Sequence, residues 1–385
     1  MGLHSLFIIT GEPSGDLHAS QLVEKLQQTA PQITLSGVPG PKLRSAGING
    51  PLNMEDFRVM GFTDVIKALP KLYKQFYLLA NHILHTQPSG VVFVDYPGFN
   101  LRLAKHLRKK GYKGKLIHYI CPSVWAWGKK RIHTMASTLD LLLTIYPFEA
   151  TYFSQTSLPV QFVGNPLCDY IATHTYRKEW RAQVSLPKDA VTIGLFPGSR
   201  AEEIKRNLPI MLETAKMFSL KHPGAYFAIS CSTPQSKATI QEMVPLSDQI
   251  VYVPKEFTYE LMQDCHCAIA KSGTVTLELA LHRVPTVVIY KLTALNRFIA
   301  KHIVRVNLPL YCIVNILAKK EVFPELINRE VTANELTHLL EVLFGHTQQR
   351  QHCIQACIEL QRQLKPILEG SNTGLQGAKA ILEMQ

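Results

Sequence analysis

A chain of 385 residues is too long for one ordinary hydrophobic core and calls for two domains. Its 46% apolar and 18% charged residues exclude a disordered or fibrous protein, and no continuous apolar run is long enough to cross a membrane as a helix. The net charge of +12 favours a polyanionic partner.

Short β-branched or apolar runs alternate with longer amphipathic ones along the chain, the pattern of parallel strands joined by helices. The first series predicts strands over Phe7 to Thr10, Thr34 to Val38, Val91 to Asp95, Leu116 to Ile120, Leu141 to Ile145 and Gln161 to Val163. Helices are expected over Ala19 to Gln28, Leu69 to His85 and Leu101 to Lys110. After a break near Asp169 to Lys188, a second series predicts strands over Val191 to Phe196, Tyr226 to Ser230, Ile250 to Val253, Ala268 to Ala270 and Thr286 to Tyr290. The expected fold class is therefore α/β, with two Rossmann-like domains facing across a cleft. Residues 1–175 form the first domain and 186–350 the second. Residues 351–385 form a helical tail with the option of packing back on the first domain.

In doubly wound sheets ligands bind beyond the carboxyl ends of strands, so the residues just after each strand are the candidates for chemistry. Pro197-Gly198-Ser199-Arg200 follows a strand and opens a helix. Glycine lets a ligand approach the backbone, the helix start favours negative charge, and Arg200 can grip a phosphate with two hydrogen bonds. Ser272-Gly273-Thr274 repeats the design, with Glu278 one turn into the helix as an acceptor for ribose hydroxyls. Lys271 beside it either adds positive charge or points to water. Each loop also reads as an ordinary turn and cap, but two in one domain point to a nucleotide's phosphates.

In the first series Gly11-Glu12-Pro13-Ser14-Gly15-Asp16 follows strand one, and Ser14, Gly15 and Asp16 are candidates for the acceptor side of the cleft. The spelling is not GxGxxG, which argues against a dinucleotide fingerprint. Asp95 ends its apolar run before Tyr96-Pro97-Gly98-Phe99-Asn100; it is either a general base or a cap for the next helix. The loop Cys121-Pro122-Ser123-Val124-Trp125-Ala126-Trp127 offers Ser123 and Trp125 as cleft residues, its indoles serving either as packing or as a wall for sugars or acyl chains.

Between Tyr96 and Leu139 there is no Asp or Glu, and a second acid-free stretch runs from Leu279 to Lys320. Within the latter, Arg297, Lys301 and Arg305 recur at helical spacing beside apolar residues, which reads as a solvated face or as a surface for anionic membranes. Nucleic acid is not expected, because no recognised binding pattern accompanies the charge. The eight cysteines lack metal-like spacing and are expected as buried thiols with no metal. The apolar run Leu6 to Ile9 breaks at Gly11-Glu12-Pro13, so no signal peptide is expected and the chain is assigned to the cytoplasm.

Taken together, these motifs, with Val59-Met60-Gly61, Pro147-Phe148-Glu149 and Asn315 ahead of Glu321, resemble the lipid-A-disaccharide synthase family of glycosyltransferases over most of the chain. Pro13, Gly98 and Val314 depart from the commoner spelling. The resemblance implies a GT-B fold and transfer of 2,3-diacylglucosamine from its UDP derivative to 2,3-diacylglucosamine 1-phosphate, with inversion. It assigns Asp95 as base and Arg200 to the diphosphate, and puts Gly198, Ser199, Ser272, Gly273, Thr274, Glu278 and Asn315 in the donor region. It further implies no cofactor or metal, acylated glucosamine substrates and peripheral contact with the inner membrane, and it is compatible with a homodimer. Another GT-B UDP-sugar enzyme, such as an N-acetylglucosamine transferase or 2-epimerase, and an inactive lipid- or nucleotide-binding homologue are the competing readings.

Overall fold

Apolar runs such as Val91-Val92-Phe93-Val94 and Leu141-Leu142-Leu143 are buried along their whole length, as expected of parallel strands covered by helices on both faces. The computed structural model describes residues 3–57, 62–125, 128, 130–244, 247–292, 309–366 and 370–384. The chain divides into one unit of Met1–Asp169 with Leu364–Gln385 and another of Tyr170–Gln363.

The first unit contains β1 (Ser5–Thr10), α1 (Pro13–Thr29), β2 (Thr34–Val38), α2 (Pro41–Ser45), α3 (Phe62–Thr86), β3 (Gly90–Val94), α4 (Pro97–Lys109), β4 (Lys115–Tyr119), α5 (Lys130–Ala136), β5 (Leu141–Thr144) and β6 (Val160–Phe162). Its six strands run in the order β2-β1-β3-β4-β5-β6, and every pairing is parallel. Order along the sheet reverses between β1 and β3, whose register pairs Thr10 with Val94. The loops beginning at Gly11 and Asp95 therefore leave adjacent strands at the same level, at the switch point where such sheets bind ligands.

The helix α6 (Pro166–Thr173) carries the chain into the second unit. There follow α7 (Trp180–Gln183), β7 (Val191–Phe196), α8 (Ala201–Lys221), β8 (Ala225–Cys231), α9 (Pro234–Met243), β9 (Ile250–Pro254), α10 (Thr258–Asp264), β10 (Cys267–Lys271), α11 (Thr274–Leu281) and β11 (Thr286–Tyr290). The unit continues with α12 (Ile313–Ala318), β12 (Glu325–Ile327), α13 (Ala333–Phe344) and α14 (Gln348–Leu364). Strand order is β12-β11-β10-β7-β8-β9, again with parallel pairing throughout. Here the reversal lies between β7 and β10, and Phe196 pairs with Ala270. The Pro197 and Ser272 loops thus emerge side by side.

Two boundaries differ from the sequence expectation. Residues 170–175 belong to the second unit, because Glu260 binds His174 Nε2 at 3.2 Å and the Arg177 amide at 3.2 Å. The tail begins later than residue 351: in α14, Cys353, Cys357 and Leu360 form a buried face, and Arg350 donates to the carbonyls of His266 and Leu343. Only the last helix, α15 (Thr373–Leu382), returns to pack on α1 of the first unit. The strand β12 was not expected, since three residues after Pro324 give too short a run to show an alternation.

The seam between α15 and α1 is tight. A Cβ on Gly374 would lie 2.8 Å from the carbonyl oxygen of Gln21, a backbone atom that cannot turn aside. Gly374→Val should cost about 1–3 kcal/mol through overpacking, lowering the urea midpoint with an unchanged m-value; an unaltered midpoint would show that this seam does not hold the unit together.

Candidate functional site

The sequence pattern predicts Asp95 as the last residue of β3, but the strand ends at Val94. A φ of +50° at Asp95, followed by +46° at Tyr96, puts two successive residues in the left-handed region, costly for tyrosine and tolerable for aspartate. Three contacts hold this turn. The Asp95 amide donates to the Tyr119 carbonyl of β4 at 3.0 Å, Asn100 Nδ2 donates to the Asp95 carbonyl at 2.7 Å, and the Tyr96 ring stacks on Phe99. The turn also explains Gly11 across the switch point: any Cβ there would fall 2.3 Å from the Tyr96 ring. Burial, then the negative charge of Glu12, raises the Asp95 carboxyl above its ordinary value, against the opposing hydrogen bond from the Tyr96 amide. A carboxylate made more basic and fixed at a strand end suits proton acceptance.

The other first-unit candidates divide. Ser14 is exposed and Gly15 is buried in the first turn of α1. Asp16 was expected in the cleft, but it is buried and accepts the amides of Gly40, Lys42 and Leu43 at 2.9, 2.8 and 3.2 Å. It caps α2. Ser123 is exposed, while Trp125 is half-buried, edge-on to Phe148. Beside that indole lies Glu149, nearly inaccessible, whose Oε2 accepts the Ile145 and Tyr146 amides. Burial pushes this carboxyl up to about 8, against the hydrogen bonds from Tyr146 and Ile145 and the pull of Trp125.

In the second unit the two expected loops are brought together. Gly198 adopts a φ of +122°, open to glycine alone at no cost. Arg200 caps α8 with extended backbone and projects into solvent, 84% of its side chain exposed. Ser199 and Arg200 are exposed, as are Gly273 and Thr274, whereas Ser272 is buried with its amide donating to Ile289. Glu278 is half-buried and accepts from Tyr259 Oη at 3.1 Å; burial raises its carboxyl, and the Tyr259 bond and the charge of Lys255 oppose that rise. His282 Nδ1 lies 2.7 Å from the Glu278 carbonyl, and Tyr176 Oη lies 3.0 Å from His282 Nε2. Glu278 is thus the end of an aromatic and imidazole network that spacing alone did not reveal.

Asn315 departs from expectation. It is fully buried, and its amide group is saturated: Nδ2 donates to the Phe323 carbonyl and Glu325, and Oδ1 accepts the Val322 and Phe323 amides. Glu325 in turn accepts the Tyr311 and Cys312 amides. This residue clamps the chain entering β12 and has no hydrogen bond left for a nucleotide.

Val59-Met60-Gly61, Trp127 and the stripe of Arg297, Lys301 and Arg305 lie outside the described residues. Among the described residues, all eight cysteines are free and buried, no cluster of His, Cys, Asp or Glu is arranged for a metal ion, and no helix is long and apolar enough to cross a membrane.

The profile of the lipid-A-disaccharide synthetase family matches residues 6–371. The chain belongs to that family. It is 37% identical over 358 residues to a lipid-A-disaccharide synthase of Chlamydia pneumoniae, covering 91% of this chain and 59% of the relative. It is 35% identical over 331 residues to a lipid-A-disaccharide synthase of Geobacter metallireducens, covering 86% and 85%. The chain thus spans little more than half the length of the chlamydial relatives it matches. Among solved structures, a UDP-GlcNAc 2-epimerase from Neisseria meningitidis has a TM-score of 0.63 at 12% identity, covering 98% of each chain. A putative UDP-N-acetylglucosamine 2-epimerase from Listeria monocytogenes has a TM-score of 0.64 at 11% identity, covering 98% of this chain and 95% of its own. At such identities the likeness carries the fold, the GT-B class.

Glu149 gives this family member a measurable titration. The folded chain retains a proton up to about pH 8 that an unfolded carboxyl, at its ordinary 4.5, has released. Stability from this group is therefore complete below the lower value and declines as pH rises toward the upper one. Glu149→Gln should flatten that decline and be more stable than the parent at pH 8, read by urea denaturation; an equal decline in both proteins would place the titration elsewhere.

Proposed function

We propose that this chain condenses UDP-2,3-diacylglucosamine with 2,3-diacylglucosamine 1-phosphate, giving the β-1,6-linked disaccharide 1-phosphate and UDP. Family membership supports the reaction class, and the observation that carries the residue assignment is Asp95. It is held in a left-handed turn at the switch point of its sheet, with its basicity raised by burial and by Glu12.

In this reading Asp95 accepts the proton of the acceptor's 6-hydroxyl as that oxygen attacks the anomeric carbon. The bond to the diphosphate oxygen breaks on the opposite face, which inverts the configuration. Arg200 and the helix starts of α8 and α11 stabilise the charge that develops on departing UDP. No bound metal or cofactor is assigned a part. Glu278, fixed by Tyr259, receives the ribose hydroxyls.

Asp95→Asn is a clean test because asparagine also tolerates the left-handed backbone. Turnover of the diacylated substrates, read as UDP and disaccharide together, should fall by about 10²–10⁴-fold with UDP affinity retained. Near-parental turnover would remove Asp95 as base, and UDP formation without disaccharide would remove the transferase reading. Glu12→Gln should move the acid limb of kcat/KM to lower pH, since it withdraws the charge that adds to burial in raising Asp95.

Acylated substrates call for a surface that meets a bilayer, and we assign it to α3 and α4, with peripheral contact at the cytoplasmic face. Tyr73, Tyr77 and Leu78 are exposed on α3, and Phe76 and Tyr77 pack edge-on against His106 of α4. Lys71, Lys74, Arg102, Lys105 and Lys109 are exposed on the same two helices, and from Val65 to Leu139 the only acidic residue is Asp95. Interfacial aromatics flanked by cations suit anionic lipid. Tyr73→Ser with Tyr77→Ser should reduce flotation with vesicles containing phosphatidylglycerol; unchanged flotation would exclude this face.

A further inference from the structure

Lys271 is the last residue of β10, one residue beyond the pair of Ala270 with Phe196 on β7, and so leaves the sheet beside the Pro197 loop. From there it stands between the two loops of the second unit. Its Nζ lies 3.2 Å from Glu203 Oε1 on α8 and 3.7 Å from the position a Cβ on Gly273 would take. Glu203 is the third residue of α8, and its side chain folds back over the Pro197 loop. Its Oε2 accepts the Ser199 amide at 3.3 Å, and Arg200 Nη1 stands 4.0 Å from Oε1. One carboxylate therefore engages a lysine, an arginine and a loop amide, the set of donors that a phosphate group requires.

The site is semi-enclosed. The side chains of Lys271 and Glu203 are 27% and 18% accessible, against 84% for Arg200. Burial alone would raise the Glu203 carboxyl, but the charge and hydrogen bond of Lys271, with the Ser199 and Arg200 amides, outweigh it and lower the group below its ordinary value. The carboxylate is thus held ionised. Gly198 fits the same arrangement, since a Cβ there would meet Glu203 Oε2 at 2.7 Å.

We propose that Lys271 is a ligand of the donor's diphosphate, and that Glu203 is an internal anion that holds the lysine between the loops and yields it to the phosphate. The inference rests on the UDP-sugar reading above and adds a residue and an exchange to it. A diphosphate carries more charge than one carboxylate and bridges two loops, so it displaces Glu203 from the lysine. The displaced carboxylate remains close by and opposes binding. Lysine serves here better than arginine, because a flexible point charge can move from one anion to the other without matching a planar fork.

The two partners must then act with opposite sign. By calorimetry with UDP, Lys271→Met should weaken binding by about 10-fold or more, in line with losing a charged hydrogen bond. Uridine affinity should stay within about twofold of the parent, because uridine has no phosphate for the lysine to hold. Lys271→Arg should recover part of the loss, and Glu203→Gln should tighten UDP binding. UDP affinity unchanged in Lys271→Met overturns the lysine's role. Weakening in Glu203→Gln as large as in Lys271→Met overturns the exchange, since the pair would then be a brace for the loop. Melting temperatures of all three variants separate misfolding from lost affinity, and Lys271→Arg carries the test if Lys271→Met does not fold. A parent chain that fails to bind UDP removes the nucleotide reading itself, whereas a parent that binds it alongside an unaffected Lys271→Met removes only this inference.

Discussion

Parallel strand pairing at two points of reversed order is the constraint on which the rest of this protein depends. A parallel strand must be reached by a crossover, so each loop at a carboxyl edge is followed by a helix start. Where successive crossovers diverge to opposite sides, two such loops lie side by side with no helix over them. Pairing of Thr10 with Val94 puts Gly11 beside Asp95, and pairing of Phe196 with Ala270 puts Pro197 beside Lys271. The candidate loops of both units leave the sheets at those two junctions.

Around the junctions, residues of one type are given different properties by their surroundings. Burial raises Asp95, and the negative charge of Glu12 adds to the effect. Glu149 is raised to about 8 by its burial, against the donors that reach it. Glu203 is lowered because a lysine and two amides outweigh its burial. In the reading proposed above, the first of these carboxyl groups serves as a base and the third as an internal anion. Local donors and local water access decide among these roles, and both come from packing.

Backbone conformation contributes in the same way. Left-handed Asp95 and Tyr96 turn the chain out of β3 at once, which brings the carboxylate to the sheet edge and lays the tyrosine ring over Gly11. The cost of that turn is borne by the Tyr119 and Asn100 hydrogen bonds and by stacking on Phe99. Strained turns persist where their surroundings over-determine them, and here the surroundings are contributed by β4 and α4.

Much was legible in the sequence because it is local. Period and composition located eleven of the strands, and glycine with a polar residue before a helix marked the Gly11, Pro197 and Ser272 loops; the order of these motifs carried the family resemblance. Glu203 also had a visible signal, a glutamate at the third helical position after a polar loop. Other features needed tertiary structure, because nothing in a residue's name says which way it faces. Asp16 and Asn315 are polar residues in motifs, as ligands are, yet the fold directs Asp16 to the amides of α2 and Asn315 to those leading into β12. The junctions themselves follow from strand order, which depends on pairings between residues far apart in the chain. The sequence by itself determined which groups are present and which glycine-containing loops open a helix after a strand; only the folded sheets decided which loops meet, which carboxyls are buried, and which lysine stands between them.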